Sequence, residues 1–219
     1  MKFKVLLALG ALIMVTGCAT SRSVVSLGTQ PAYNNANPIE GTAVKITAVD
    51  ARVFELKPST PDIPSLKDGA IDNKDTTSRA IGRKRNGYGK ALGDILLPEG
   101  QTVSNVVGGA VTNAFRQAGY RVLSPGDAGY DQAVPVDVQI KQYWSWVNMG
   151  FWTIKLSCRS EVLVTAPLPG LKAGLDVQSL AEKSTAAAFE SDWQDIATEG
   201  LTKLTTDLAN KLPRQTAAQ

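Results

Sequence analysis

The stretch VPVDVQIKQYWSWVNMGFWTIKLSCRSEVLV, Val134 to Val164, allows few architectures. In its first limb Val134, Val136, Val138, Ile140, Trp144 and Trp146 share one parity. In the second, Trp152, Ile154, Leu156, Cys158, Val162 and Val164 do the same. Alternation of this length is the period of half-buried β-strands. A three-residue loop, Asn148-Met149-Gly150, keeps both apolar sets on one face, whereas a two-residue loop exposes one of them. The reading therefore pairs Trp146 with Trp152, Trp144 with Ile154 and Ile140 with Cys158, and gives Gly150 a positive φ. Trp144, Trp146 and Trp152 then serve the core. Tyr143, Val147 and Phe151 have the outward parity, so Tyr143 and Phe151 are candidate docking residues. The same register sets Asp137 opposite Glu161, with one of them leaning toward Arg159.

The flanking segments supply the second layer. Val44, Ile46 and Ala48 alternate with Lys45 and Thr47, the pattern of a strand, and Asp50 and Arg52 then share a face as a salt bridge at its end. From Thr102 to Ala118, Val103, Val106, Val107, Ala110, Val111, Ala114 and Phe115 recur at helical spacing, with Gly119 as a left-handed cap. Gly108 and Gly109 inside that helix imply close packing on a sheet. A further strand follows Leu175. Ser191-Asp192-Trp193-Gln194 reads as a capping box opening a second helix, which Pro213 ends. The expected fold is α+β, a two-layer sandwich with two helices packed on one face of a mainly antiparallel sheet.

The N-terminus sets the compartment. Lys2 and Lys4 precede an apolar run from Val5 to Val15 that is too short to span a bilayer, as in an export leader. Val15-Thr16-Gly17-Cys18 resembles the lipobox of bacterial lipoproteins, in which the cysteine is lipidated and becomes the mature N-terminus. That resemblance implies residues 1–17 as signal peptide and a covalent fatty-acyl lipid on Cys18, with no other cofactor expected. Ala19, rather than an aspartate, follows the cysteine, which implies the outer membrane, periplasmic face. Residues 18–40 then form the lipidated start and a polar, Pro- and Gly-containing flexible tether, able to reach about 70 Å when stretched.

Of 23 cations against 20 acids, Lys2 and Lys4 leave with the leader, so the mature chain is within one charge of neutral. Any positive region must act locally. Cys158 is then the lone thiol, so stability rests on packing rather than on a disulfide, and the strand pattern buries it. The roughly 180 residues after residue 40 are enough for one domain with a core. That domain is read as 41–213, with 214–219 a disordered tail. Residues 57–97 are read as an insertion, a poorly ordered loop followed by a basic hairpin.

That hairpin carries GRKRNGYGK, residues 82 to 90. Asn86-Gly87 is the signal for a two-residue turn, which sets Arg85 opposite Tyr88 and Arg83 opposite Lys90. No Gly-Lys-Ser/Thr follows, so it is not a phosphate loop, and an exported chain does not meet nucleic acid. Arg83, Lys84, Arg85, Tyr88 and Lys90 are either a solvated tip or a recognition tip for an anionic lipid, a cell-wall component or an acidic envelope protein.

Several features together resemble the YajG-like family of bacterial lipoproteins. They are the lipobox, Val49-Asp50-Ala51-Arg52, the helix closing in Gln117-Ala118-Gly119-Tyr120-Arg121-Val122, the long hairpin and the terminal helix. The resemblance implies a small envelope lipoprotein and supplies no catalytic residues. The chain has no histidine, the commonest general base and metal ligand. No nucleophile elbow or metal-ligand cluster is present in the sequence either. The expectation is a non-enzymatic binding or assembly module, held to the membrane by its lipid, with no metal. A regulator of a cell-wall enzyme and a histidine-free hydrolase using Asp50 are the alternatives.

Overall fold

The computed structural model describes residues 21–28, 41–150 and 153–215. Among these residues, eight strands form one sheet. They are β1 (Ser23–Val24), β2 (Ala43–Asp50), β3 (Ala80–Arg85), β4 (Ala91–Leu96), β5 (Arg121–Val122), β6 (Val134–Met149), β7 (Ile154–Thr165) and β8 (Leu175–Thr185). The helices are α1 (Lys74–Arg79), α2 (Val103–Gln117) and α3 (Glu190–Lys211), with a short 3₁₀ turn at Lys67–Asp72. The long ladders, β6 with β7 and β7 with β8, are antiparallel. The fold is an α+β sandwich.

β6 organises the sheet. One of its edges is occupied by β7 from Asp137 to Met149. The other is divided: β2 runs parallel from Val44 opposite Val134 to Asp50 opposite Ile140, and β3 takes over at Gly82 opposite Ser145. β5 continues outward from β2, while β4 and then β1 continue from β3.

The β6–β7 hairpin differs from the expected register in two ways. Its closing pair is Met149 with Ile154, and the turn is held by the Gly150 N–H donating to the Thr153 carbonyl at 2.9 Å. Gly150 does not take the positive φ expected of it. A bulge follows: Ile140 faces Val162 but Gln142 faces Glu161, leaving Lys141 over. One extra residue reverses which side chains face the helices beyond it. Val136, Val138 and Ile140 therefore join the helix-side core, then Tyr143 and Val147 do. Trp144 and Trp146, expected in that core, lie in a second cluster with Leu66, Ala80 and Leu96. Tyr143, expected on the outside, is fully buried, and its hydroxyl donates to the Ala197 carbonyl of α3 at 2.9 Å.

The second cluster is covered by the segment expected to be a poorly ordered loop. Phe54 meets Trp144 edge to face at 5.9 Å, the Trp144 indole donates to the Pro61 carbonyl, and Leu66 is 2% exposed. Asp62 binds Arg159 at 2.9 Å. Asp137 instead faces Thr165, and Glu161 approaches Lys141 at 3.7 Å. Two tryptophans left on the far face by the bulge need a lid, and residues 54–71 supply it.

Both expected domain boundaries also move. Residues 21–28, assigned to the tether, dock on the domain: β1 pairs with β4, and Val25 and Leu27 are buried. At the other end Gln215 donates its N–H to the Ala118 carbonyl and accepts from Thr42 Oγ1 at 2.8 Å. Residues 214–215 thus belong to the fold rather than to a tail.

α2 and α3 pack side by side on the sheet. Val107, Val111, Ala114 and Phe115 of α2 and Trp193, Ile196, Leu201, Leu204 and Leu208 of α3 enter the main core. A Cβ built on Gly108 would sit 3.3 Å from Ala48 Cβ on β2, which is the close approach its glycine permits. Gly119 takes φ +92° after α2, so the chain can turn straight into β5. α3 begins one residue before the expected cap: the Asp192 carboxylate accepts the Phe189 N–H at 3.0 Å, and Ser191 lies within the first turn.

Candidate functional site

Where β6 changes partner, backbone carbonyls would be left without donors, and Arg52 fills the gap. Its Nη1 donates to the Ala80 carbonyl at 2.6 Å and to the Tyr143 carbonyl at 3.0 Å, and its Nη2 donates to the Thr77 carbonyl at 2.8 Å. Nε and Nη2 each donate to Asp50 at 2.8 Å. The Arg52 side chain is 0% exposed, and the guanidinium also lies 5.2 Å from the Phe54 ring centroid. This buried cation is fully satisfied, and the two-residue spacing seen in the sequence makes the pair bidentate.

Cys158 is buried on β7, against α3. Burial pushes its thiol up to about 12, with hydrogen bonds from Ser145 and Ser160 opposing the shift. It is a packing group rather than a nucleophile.

The basic hairpin forms the other end of the sheet. Arg85 faces Ala91 and Arg83 faces Asp94, so the loop is longer than the predicted two-residue turn. Asn86 Oδ1 accepts from the Tyr88 and Lys90 N–H groups, and Gly89, not Gly87, carries the positive φ of +75°. This is a turn ending in a left-handed glycine, for which Asn86 is a good starter. Tyr88 is 97% exposed and Lys90 is exposed.

The cations of the hairpin separate into two groups. Arg83 lies 3.8 Å from Asp94, and its Nη1 donates to Ser65 Oγ at 3.3 Å. Asp94 is 0% exposed and also accepts from Arg22 Nε at 3.0 Å and the Lys67 N–H at 2.8 Å. One buried acid thus joins the N-terminal segment, the lid over the tryptophans and the hairpin. Arg85 is different. Its Nη1 donates to the Gly89 carbonyl at 3.1 Å, but Nε and Nη2 are buried without a partner. Burial, then the like charge of Arg83, lowers its pKa below the usual arginine value, yet arginine keeps its charge in proteins.

Arg85 forms part of the wall of a groove of about 520 Å³. β3 contributes Lys84 and Arg85, β4 Leu92, β6 Val147 and Met149, and β7 Ile154. The start of α3 closes it with Phe189, Glu190 and Trp193. Phe189 is 67% and Met149 41% exposed, so the apolar wall is open to solvent. Glu190 is engaged by the Ser23 hydroxyl at 2.5 Å. The Lys84 ammonium donates to the Ser21 carbonyl at 3.2 Å, tying the groove to the start of the docked N-terminal segment.

Of the residues proposed from sequence, Lys84 and Arg85 line this groove, whereas Arg83 is held by Asp94, Tyr88 and Lys90 stand on the loop, and Tyr143 is in the core. Cys18, Phe151 and Trp152 lie outside the described residues. Leu92, Met149, Phe189 and Asp94 were not singled out. Asp94 left a trace, a lone carboxylate within the apolar run Ala91 to Leu97. The other three are ordinary hydrophobes whose meeting depends on the fold. Among the described residues no acidic or thiol cluster is placed to hold a metal ion, and no helix is long and apolar enough to cross a membrane.

No family model matches the sequence, and no curated protein does. Some solved structures match it at low similarity. A Xanthomonas campestris protein of the DUF330 family is 10% identical, with a TM-score of 0.47 over 85% of this chain and 92% of its own. An uncharacterized protein is 8% identical, with a TM-score of 0.40 over 88% and 98%. A Caulobacter crescentus CB15 protein, provisionally described as a lipoprotein, is 13% identical with a TM-score of 0.26 over 48% and 81%. At these scores none of them carries a function over to this chain.

Proposed function

We propose that this chain is a lipoprotein of the YajG-like type, anchored through Cys18 to the periplasmic face of the outer membrane. It acts there as a non-catalytic binding module. The observation that carries the reading is the open apolar groove with an unpaired arginine, set beside the segment that emerges from the anchor. Concave, largely apolar sites with a few polar groups are the usual form of small-ligand sites, at about 300–1,000 Å³.

The two alternatives lose support on geometry. A hydrolase using Asp50 would need a free carboxylate, and both oxygens accept from Arg52. A regulator working at the end of a long tether would need residues 21–28 to be undocked, and they are part of the sheet edge. With Ser21 held by Lys84, only Ala19 and Thr20 separate Cys18 from the fold, a span of about 10 Å. The body would then lie on the membrane rather than off it.

The test is intact-mass analysis of the chain isolated from cell envelopes, together with fractionation of Cys18→Ser. An acylated chain beginning at Cys18, and release of the variant from the membrane, are expected. An unmodified chain beginning at Met1 would overturn the anchor.

A further inference from the structure

We propose that the groove holds the acyl chain and acidic head group of one lipid taken from the membrane to which Cys18 is attached. The proposal rests on the reading of Cys18 as an anchor and adds the ligand.

Three observations point to this occupant. The wall offers Leu92, Met149, Ile154 and Phe189, which are at least partly exposed. A chain of methylene groups would cover them. At the same end Arg85 carries two buried N–H atoms without acceptors, and no carboxylate of the described residues pairs with it. An unpaired buried donor is costly, and once the Arg85 side chain turns toward the groove a phosphate or carboxylate would satisfy both N–H groups at once through the planar guanidinium. Glu190, the acid on the wall, already accepts from Ser23, so it leaves Arg85 to the ligand.

The source follows from the N-terminal segment. Lys84 holds the Ser21 carbonyl, and three residues of chain reach about 10 Å. An acyl group on Cys18 therefore sets the groove's rim at the lipid surface, where lipid is the ligand at highest local concentration. The anchor's own acyl chains could reach the same rim. They are disfavoured because a diacylglyceryl thioether brings no negative charge for Arg85.

The experiment uses the native chain in phosphatidylcholine vesicles carrying a trace of either photoreactive phosphatidylglycerol or photoreactive phosphatidylcholine, with adducts mapped by peptide mass. Adducts at Leu92, Met149 or Phe189 with the anionic probe are expected, and Arg85→Gln should lower their yield about tenfold, the value of one charged hydrogen bond. Arg85→Lys should recover part of that loss, and Lys90→Gln on the exposed loop should change nothing. Equal yields from the two probes, yields unmoved by Arg85→Gln, or adducts mapping elsewhere would overturn the proposal. So would adducts that form only in Cys18→Ser, since the anchor's own chain would then fill the groove. Intact mass at Cys18 is read separately. An acylated chain without adducts refutes the ligand alone, and an unacylated chain with Arg85-dependent adducts refutes the anchor while supporting the ligand.

Discussion

The two halves of one strand edge are treated differently. At its N-terminal half β6 is paired with β2, and the handover point is closed by Arg52, whose guanidinium meets two carboxylate oxygens and three carbonyls. At its C-terminal half β6 is paired with β3, and Arg85 there is left with two unanswered N–H groups beside an open apolar groove. Both are arginines, and both are at least partly withdrawn from water. The satisfied one braces the fold, whereas the other leaves two buried donors without a protein acceptor, which is a cost to the fold.

The contrast can be attacked by substitution. Removing the brace with Arg52→Met should cost about 3–5 kcal/mol, because it leaves the Asp50 charge without its cation and the junction carbonyls without the guanidinium donors; urea unfolding measures it. If the loss were below about 1 kcal/mol, the brace would not be the closure it resembles in geometry. Leu66→Ala should cost about 2–5 kcal/mol if residues 54–71 truly seal the second face, while a loose loop would cost almost nothing. Gly200→Ala drives a methyl to 2.6 Å from Cys158 Sγ and should cost about 1–3 kcal/mol. The double variant with Cys158→Ala should cost less than the sum of the two single changes.

Cys158 also makes a pH prediction. Its thiol is held up at about 12 in the fold, so the unfolded chain loses the proton first as pH rises. Stability should therefore fall above the ordinary thiol range, near pH 9, and alkylation of the native chain at neutral pH should be slow until it is unfolded. Arg85→Met should have the smallest effect, a change within about 1 kcal/mol and, in the absence of ligand, toward greater stability. A loss comparable to that of Arg52→Met would mean that the two arginines share one role.

Much of the scaffold could be read before any coordinates. The period of Val103 to Phe115 gave a helix from 103 to 117, the alternation from Val134 gave the long hairpin, and Gly119 took its left-handed turn. The register beyond Ile140 could not be read, because Tyr143-Trp144-Ser145-Trp146-Val147 has apolar residues on both parities. Either face satisfies local alternation there, so the bulge at Lys141 is invisible to it. The docking of Val25 and Leu27 was equally hidden, since a short apolar pair among serines and threonines has the composition of a linker. In the candidate site, the cations were legible as residue types. Their division into satisfied and unsatisfied was not, since Asp94 meets Arg83 only in the longer register of the hairpin and reaches Arg22 across 72 residues of chain.

Chain chemistry alone thus specified the periods of the strands and helices, a buried thiol and the absence of histidine. Those are properties of neighbouring residues, and local sterics and hydrophobic alternation are enough to express them. Folding in three dimensions settled which face of β6 meets the helices, which acid answers which arginine, and which described residues meet around the groove. Pairing, burial and charge compensation depend on groups that become neighbours only when distant segments close on one another.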